Sequence, residues 1–433
     1  MTRKVNPKVA PDHVLELDHA VIDEMDISGH WNRMFEQRVI FDYDVAQLDR
    51  VTALDGGESM GWCYQCAQCI PVCPVDHVGS YGPRKIYRNL QLGQDLFTDD
   101  DLWLCTTCAN CLRVCPKEVD MLQIMPAVRK AAVLAGDVPA DLQDVFEKTA
   151  RYGNPLGKNA KRRAEWTKGL DVEVPLISEV GRKVDVLWWV SDYPAYHPRG
   201  IDASRALARV LHHLGVDFAI LGAEERHDGD SMLRAGEAGL FEMLAEHNIE
   251  VLNSYEFDVL LTTDPHAYNA FLHEYPQRGG TYNVVHYTKF LEQRLDDLGM
   301  TETIDRTITF HDPCYLGRHN GEYDAPRTLI GALPGSEFVE MWRNRENGYC
   351  CGGGGGGMWL DGLAADNQSM RLSEKRVMEA VETGADTLCV VCPYEVSRFE
   401  DAVKSTNNDG KLEVLDIAEL LETALGLSNG QRG

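Results

Sequence analysis

Two groups of cysteines hold the chemistry this sequence advertises. Of thirteen, eight lie between residues 63 and 115 and five between 314 and 392. The first group repeats one pattern, C-x-x-C-x-x-C-x-x-x-C-P. It runs Cys63, Cys66, Cys69, Cys73 and Pro74, then Cys105, Cys108, Cys111, Cys115 and Pro116. A cubane of four irons needs four thiolates. A two-residue spacing lets three of them in one loop reach three corners, and the fourth in such runs reaches across to the other cluster. The spacing predicts one [4Fe–4S] cubane on Cys63, Cys66, Cys69 and Cys115, and a second on Cys105, Cys108, Cys111 and Cys73. Structural zinc favours paired C-x-x-C rather than triplets closed by Cys-Pro.

The second group is Cys314 in HDPCYLGRHNG, Cys350-Cys351 ahead of six glycines (352–357), and Cys389 with Cys392 in LCVVCPY. Adjacent cysteines do not easily serve two corners of an ordinary cubane, but they can bridge irons in an irregular cluster. The glycines let backbone approach bulky inorganic sulfur and leave room for a substrate. A phosphate loop would need Lys-Ser/Thr after them, where Met358-Trp359 stands. A dithiol or a zinc site is the competing reading. His311, Arg318 and His319 flank Cys314, as proton donors and thiolate partners or as hydrogen-bonding and charge-balancing neighbours. No G-x-G-x-x-G follows a strand, so no flavin or nicotinamide fingerprint is present.

The elements that must position these residues change character along the chain. Residues 1–55 form a polar extension, expected to be helix and loop. Residues 56–150 carry the eight cysteines at helix ends, with a helical excursion between the runs. Residues 136–182 look like a helical linker with a basic patch over Lys158–Arg163. From 183 strand and helix alternate: VDVLWWV, ASRALARVLHHLG, VDFAILG, GLFEMLAEHNIEVL and FDVLLTT, then TITFHDP, NQSMRLSEKRVMEAVETG and ADTLCVVCP. Alternation of this kind favours parallel sheets covered by helices. The pattern recurs at a near-constant offset, with Val190 answering Asp312 and Asp264 answering Cys389. The reading is two copies of one α/β unit, over 183–290 and 300–428. If the copies face each other, His197 and Arg199 reach the same cleft.

The net charge of −26 argues against nucleic acid and anionic lipid as partners. No run approaches 18 consecutive apolar residues, and the first residues lack an apolar signal core, so neither a membrane span nor a secretory signal is expected. Clustered cysteines in such a chain imply a reducing, cytoplasmic setting, with membrane association only through a partner subunit.

The spacing Cys-x35-Cys-Cys-Gly-x36-Cys-x-x-Cys, joined to the two-cluster module, resembles the CCG-domain subunits of heterodisulfide reductase. It is close to the fused D-type subunit, the K-type subunit of the sulfite-reductase-linked complex, and iron–sulfur proteins fed by electron-transfer flavoprotein. The resemblance spans roughly 55–425. It implies a helical ferredoxin-like domain followed by two CCG-type α/β subdomains. It also implies a noncubane [4Fe–4S] cluster on Cys314, Cys350, Cys351, Cys389 and Cys392 that cleaves or forms a disulfide. The partners implied are a flavoprotein, a membrane cytochrome or quinone subunit, or a small sulfur carrier. A pure relay and a lactate- or glycolate-type dehydrogenase subunit are the alternative functions. Two departures stand out. Glu395 occupies the position where family members carry the last cysteine, which leaves the fifth ligand between Glu395 and Cys389. The first copy has Asp192, His227, Asp264 and Ala267 where cysteines are expected. It is either a structural half or a mononuclear Zn or Fe(II) site on Asp192, His227 and Asp264, with His266 nearby.

Overall fold

The computed structural model describes residues 21–22, 25–26, 45–98 and 100–427. Most of the expected 1–55 extension lies outside these residues. Within it, Val21–Ile22 pairs antiparallel with Met25–Asp26.

The cysteine-rich part is helical. A helix over Met121–Ala135 begins where Asp120 accepts a hydrogen bond from the Leu122 N–H, and stops at Gly136 in the left-handed region. It buries Met121, Ile124, Met125, Val128 and Ala132. The excursion between the cysteine runs is a helix over Pro83–Gln91 and a short one over Asp101–Leu104. Of the basic patch expected at Lys158–Arg163, Lys158, Lys161 and Arg162 are exposed, while Arg163 is buried.

Two four-stranded, all-parallel sheets follow. The first contains β1 (Val184–Trp189), β2 (Phe218–Ile220), β3 (Phe257–Thr262) and β4 (Val284–His286), in the order β2-β1-β3-β4. The second contains β5 (Thr307–Phe310), β6 (Glu337–Phe338), β7 (Thr387–Val390) and β8 (Glu413–Asp416), in the order β8-β7-β5-β6. Read from the opposite edge, the second order repeats the first, so the two halves share one topology. Every residue of β1 except Asp185 is buried, as expected of a parallel strand covered on both faces.

Equivalent helices fix the register of the repeat. The helices over Pro265–His273 and Pro393–Ser405 both start with proline, directly after β3 and β7. Their N-caps are Asp264 and Cys392. Asp264 thus answers Cys392, not Cys389, and Ala267 answers Glu395. The sequence offset slipped because the connections inside the two halves differ in length.

The halves are pinned together. Arg199 donates to Glu400 at 2.5 Å and to Glu419 at 3.0 Å. Tyr287 Oη donates to Asp416 at 2.9 Å. Arg199 is therefore an inter-half clasp rather than a cleft residue, and His197 stacks on Tyr193.

Candidate metal centre

The two cysteine runs fold alike. Gln65 and Ala67 in the first, and Thr107 and Ala109 in the second, take positive φ at matching positions, with values from 50° to 69°. This conformation is uncommon for residues other than glycine, and it curls each loop so that its thiols converge. Electrostatic neighbourhoods sort the thiols into two sets. Cys63 feels Cys115 and Cys66, and Cys69 feels Cys63 and Cys115. Cys73 feels Cys105, and Cys111 feels Cys105 and Cys73 first and then Cys69 of the other set. Burial pushes the Cys73 thiol up to about 12. A small hollow of about 40 Å³ is ringed by Cys63, Cys66, Cys69, Cys111 and Cys115, with Arg84 and Lys117 on its wall. All thirteen cysteines are free thiols. Converging soft donors around a hollow fit an iron–sulfur group.

The second cysteine run abuts the C-terminal group. Cys108, Cys314 and Cys350 pack together with Tyr315. Cys350 receives hydrogen bonds from Cys108, Cys314 and Cys351, which hold its thiol well below the ordinary range. Its sulfur also lies 3.5 Å from Thr106 Oγ1 and accepts from the Gly352 N–H at 3.3 Å. Two of the six glycines also have a packing role. A Cβ on Gly354 would stand 2.5 Å from the Thr106 carbonyl, and one on Gly355 2.5 Å from that of Cys105. These glycines exist here so that backbone can lie on backbone, seating the C-terminal loop on the second cysteine run.

The residues around Cys314 serve the same junction. Arg318 donates to the Cys108 carbonyl and to that of Gly348, each at 2.6 Å. Burial lowers His319 to about 4, so its neutral ring donates through Nε2 to the Thr107 carbonyl at 3.0 Å. Tyr315, which sequence reasoning missed, shares a 2.8 Å hydrogen bond with Thr107 Oγ1 and stacks on His319. Arg129, also missed, is fully buried and donates to the carbonyls of Leu102, Cys105, Arg234 and Gly355. Nothing in the sequence marked it, because its partners are backbone groups scattered over the chain.

Of the five C-terminal cysteines, Cys314, Cys350 and Cys351 are direct neighbours. Cys392 caps its helix beyond the end of β7 and feels the charge of Glu395. Cys389 lies inside β7, wholly buried in the main apolar core, and its charged neighbours are Asp416 and Glu419. Groups at the carboxyl ends of parallel strands can converge on a ligand, whereas a mid-strand side chain is committed to a sheet face. His311, Cys351 and Glu395 bring one donor atom each to within 4.8 Å of one another, and all three are buried.

The first half shows no matching group among the described residues. Asp192 is bound by Arg163, which also holds Glu225 at 2.7 Å. Glu225 in turn accepts from the Val190 and Ser191 N–H groups. Asp192 is thus neutralised by a cation that reaches in from the 136–182 segment, and among the described residues Asp192, His227 and Asp264 do not bring their donor atoms within 4.8 Å of one another. His227 turns its Nδ1 to the Gly229 N–H at 2.7 Å, and Asp264 Oδ1 caps its helix by accepting from the His266 N–H.

His266 and Asp264 give this half a pH signature. Burial opposes the His266 charge, but the hydrogen bond and charge of Asp230 outweigh it and raise the group to about 9. Burial, then the charge of Asp228, raises Asp264 to about 7. Both groups bind protons more tightly when folded. The His266 contribution is complete below its unfolded value near 6.5 and is lost as pH rises through about 9. That of Asp264 is lost between 3.8 and about 7. Thermal stability of the anaerobic chain should therefore fall between pH 7 and pH ~9.5, and His266→Gln should flatten that part of the curve. Parallel curves for the two proteins would refute the assignment.

The chain matches the cysteine-rich CCG domain over 195–271 and 308–394, and a 4Fe-4S dicluster domain over 59–119. It is 36% identical over 346 residues to an iron–sulfur-binding oxidoreductase of Bacillus subtilis, a span covering 78% of this chain and 48% of that protein. It is 33% identical over 339 residues to the EtfAB:quinone oxidoreductase of Syntrophomonas wolfei, covering 76% of this chain and 47% of the relative. It is 32% identical over 402 residues to the D-type polypeptide of the dihydromethanophenazine:CoB–CoM heterodisulfide reductase of Methanosarcina barkeri, covering 84% of this chain and 94% of that one. The chain thus spans about half the length of the first two relatives and nearly all of the third. Fold and site define a cysteine-rich protein that joins a 4Fe-4S dicluster domain to two CCG domains. The chain belongs to the CCG-domain family that includes the D-type polypeptide of heterodisulfide reductase. Among the described residues no helix is long and apolar enough to cross a membrane.

Proposed function

We propose that the chain carries electrons through two [4Fe–4S] cubanes to or from a third, noncubane cluster at the C-terminal cysteines, where a disulfide or thiol substrate reacts. The cubane ligands are Cys63, Cys66, Cys69 and Cys115 for one cluster, and Cys73, Cys105, Cys108 and Cys111 for the other. The observation that carries this reading is the junction of Cys108 with Cys350 and Cys314. It makes the thiols one continuous series from the exposed Cys66 to the buried C-terminal set. Electrons would enter or leave at the Cys66 end, beside the exposed Trp62 and Tyr64, by contact with a flavoprotein or another redox subunit.

The C-terminal centre, when loaded, supplies one-electron steps that divide the two-electron cleavage of a disulfide. The chain's own residues hold it dry and fixed. Arg318 and His319 tie Cys314 to the second cysteine run, and Arg398 holds the Cys351 carbonyl at 2.9 Å. A heterodisulfide or a sulfur-carrier thiol is the substrate class, following the heterodisulfide reductase relative. A second reading, relay from electron-transfer flavoprotein to a quinone partner, is favoured by the burial of all five C-terminal thiols and by the EtfAB:quinone oxidoreductase relative.

Anaerobically purified protein should contain roughly twelve irons and as many sulfides per chain, since three four-iron clusters are invoked. Adding a thiol to the oxidised protein should produce a new paramagnetic signal from the C-terminal centre. About eight irons would remove the third cluster. Twelve irons with no thiol-induced signal, together with fast reduction by a flavoprotein, would favour the relay.

A further inference from the structure

Glu395 stands at a position built for a ligand. It is the third residue of the helix over Pro393–Ser405 and is 1% exposed. One carboxylate oxygen, Oε1, lies 3.1 Å from His311 Nε2, and the other, Oε2, is buried with no hydrogen-bond partner. A buried carboxylate oxygen with no partner costs free energy unless a donor or a metal completes it. Cys351 lies in the same group, with one donor atom from each of His311, Cys351 and Glu395 within 4.8 Å of the others.

His311 cannot share the ligand role. Its Nδ1 accepts from Arg376 Nε at 3.1 Å. A guanidinium never gives up its proton, so Nδ1 is the acceptor nitrogen and Nε2 carries the hydrogen. Arg376 is itself fixed by Glu379 and the Arg343 carbonyl, each at 2.8 Å. Nε2 therefore carries a hydrogen and offers no lone pair to a metal; it lies 3.1 Å from Glu395 Oε1 but makes no hydrogen bond. Cys389 is not a substitute either, since it belongs to the core around Asp416 and Glu419.

We infer that Glu395, and not Cys389, completes the C-terminal centre. The ligand set becomes Cys314, Cys350, Cys351, Cys392 and the Glu395 carboxylate, and His311, 3.1 Å from that carboxylate, is a positioning residue. The inference rests on the reading that these cysteines hold a cluster. One iron is then bound by a hard oxygen donor in an otherwise soft thiolate set, which distinguishes this centre from an all-cysteine one.

The test uses the full chain, purified without oxygen, with iron and sulfide counts and paramagnetic resonance as readouts. Cys389→Ala should keep the iron count and spectrum of the unmodified protein. Glu395→Gln should lose roughly four irons and retain about eight. Glu395→Cys should keep the full count but change the signal of the C-terminal centre alone. His311→Asn should move that same signal with no loss of iron. If Glu395→Cys leaves the spectrum unchanged, or Cys389→Ala loses the four irons, the inference fails while the three-cluster reading survives. If the unmodified protein holds only about eight irons, the three-cluster reading itself fails.

Discussion

Arg129→Met is expected to destabilise the chain by at least about 3 kcal/mol, because buried carbonyls stripped of a charged donor each carry a desolvation penalty. The guanidinium serves Leu102 and Cys105 in the cysteine-rich domain, Arg234 in the first half and Gly355 in the glycine loop. No other described side chain touches all three parts with hydrogen bonds to main chain in this way. Burial lowers its proton affinity, and the neighbouring charges that restore it are Cys105, Tyr81 and Tyr315. An anionic cluster on Cys105 would supply the missing counter-charge. Denaturant melts of the anaerobic protein should show the loss, accompanied by faster release of iron. Arg129→Lys should fall well short of rescue, since a single ammonium cannot span four carbonyls. A melt superimposable on that of the unmodified chain would refute the bolt.

The second large effect is expected at Arg163. It is 2% exposed and paired with Asp192 and Glu225, both buried. Arg163→Met leaves two carboxylates without their cation, and removal of one member of a buried ion pair costs on the order of 3–5 kcal/mol. The triple change Arg163→Met, Asp192→Asn, Glu225→Gln should recover most of that loss, because the charges vanish together. The same series tests the metal reading of the first half. Asp192→Asn with Arg163 intact should leave zinc and iron contents unchanged. A drop in either metal would reinstate Asp192 as a ligand.

What the sequence determined by itself is whatever depends on local spacing. The two cysteine runs were legible because three thiols two residues apart can serve one cluster from a single loop, wherever that loop sits. The paired α/β halves were legible because strand and helix periods differ and the alternation occurs twice. What only the tertiary structure decided is whatever depends on the direction a side chain takes relative to a distant partner. Cys389 and Cys392 are three residues apart and read as one motif, yet β7 ends between them, so one thiol enters the core and the other caps a helix beside Glu395. Arg163 looked like part of a basic surface until the fold brought two carboxylates to it. Glu395 read as a lost cysteine until His311 and Cys351, remote in sequence, closed around it. Burial and long-range pairing set those outcomes, because an ionic or polar group removed from water takes its meaning from the partner it finds there.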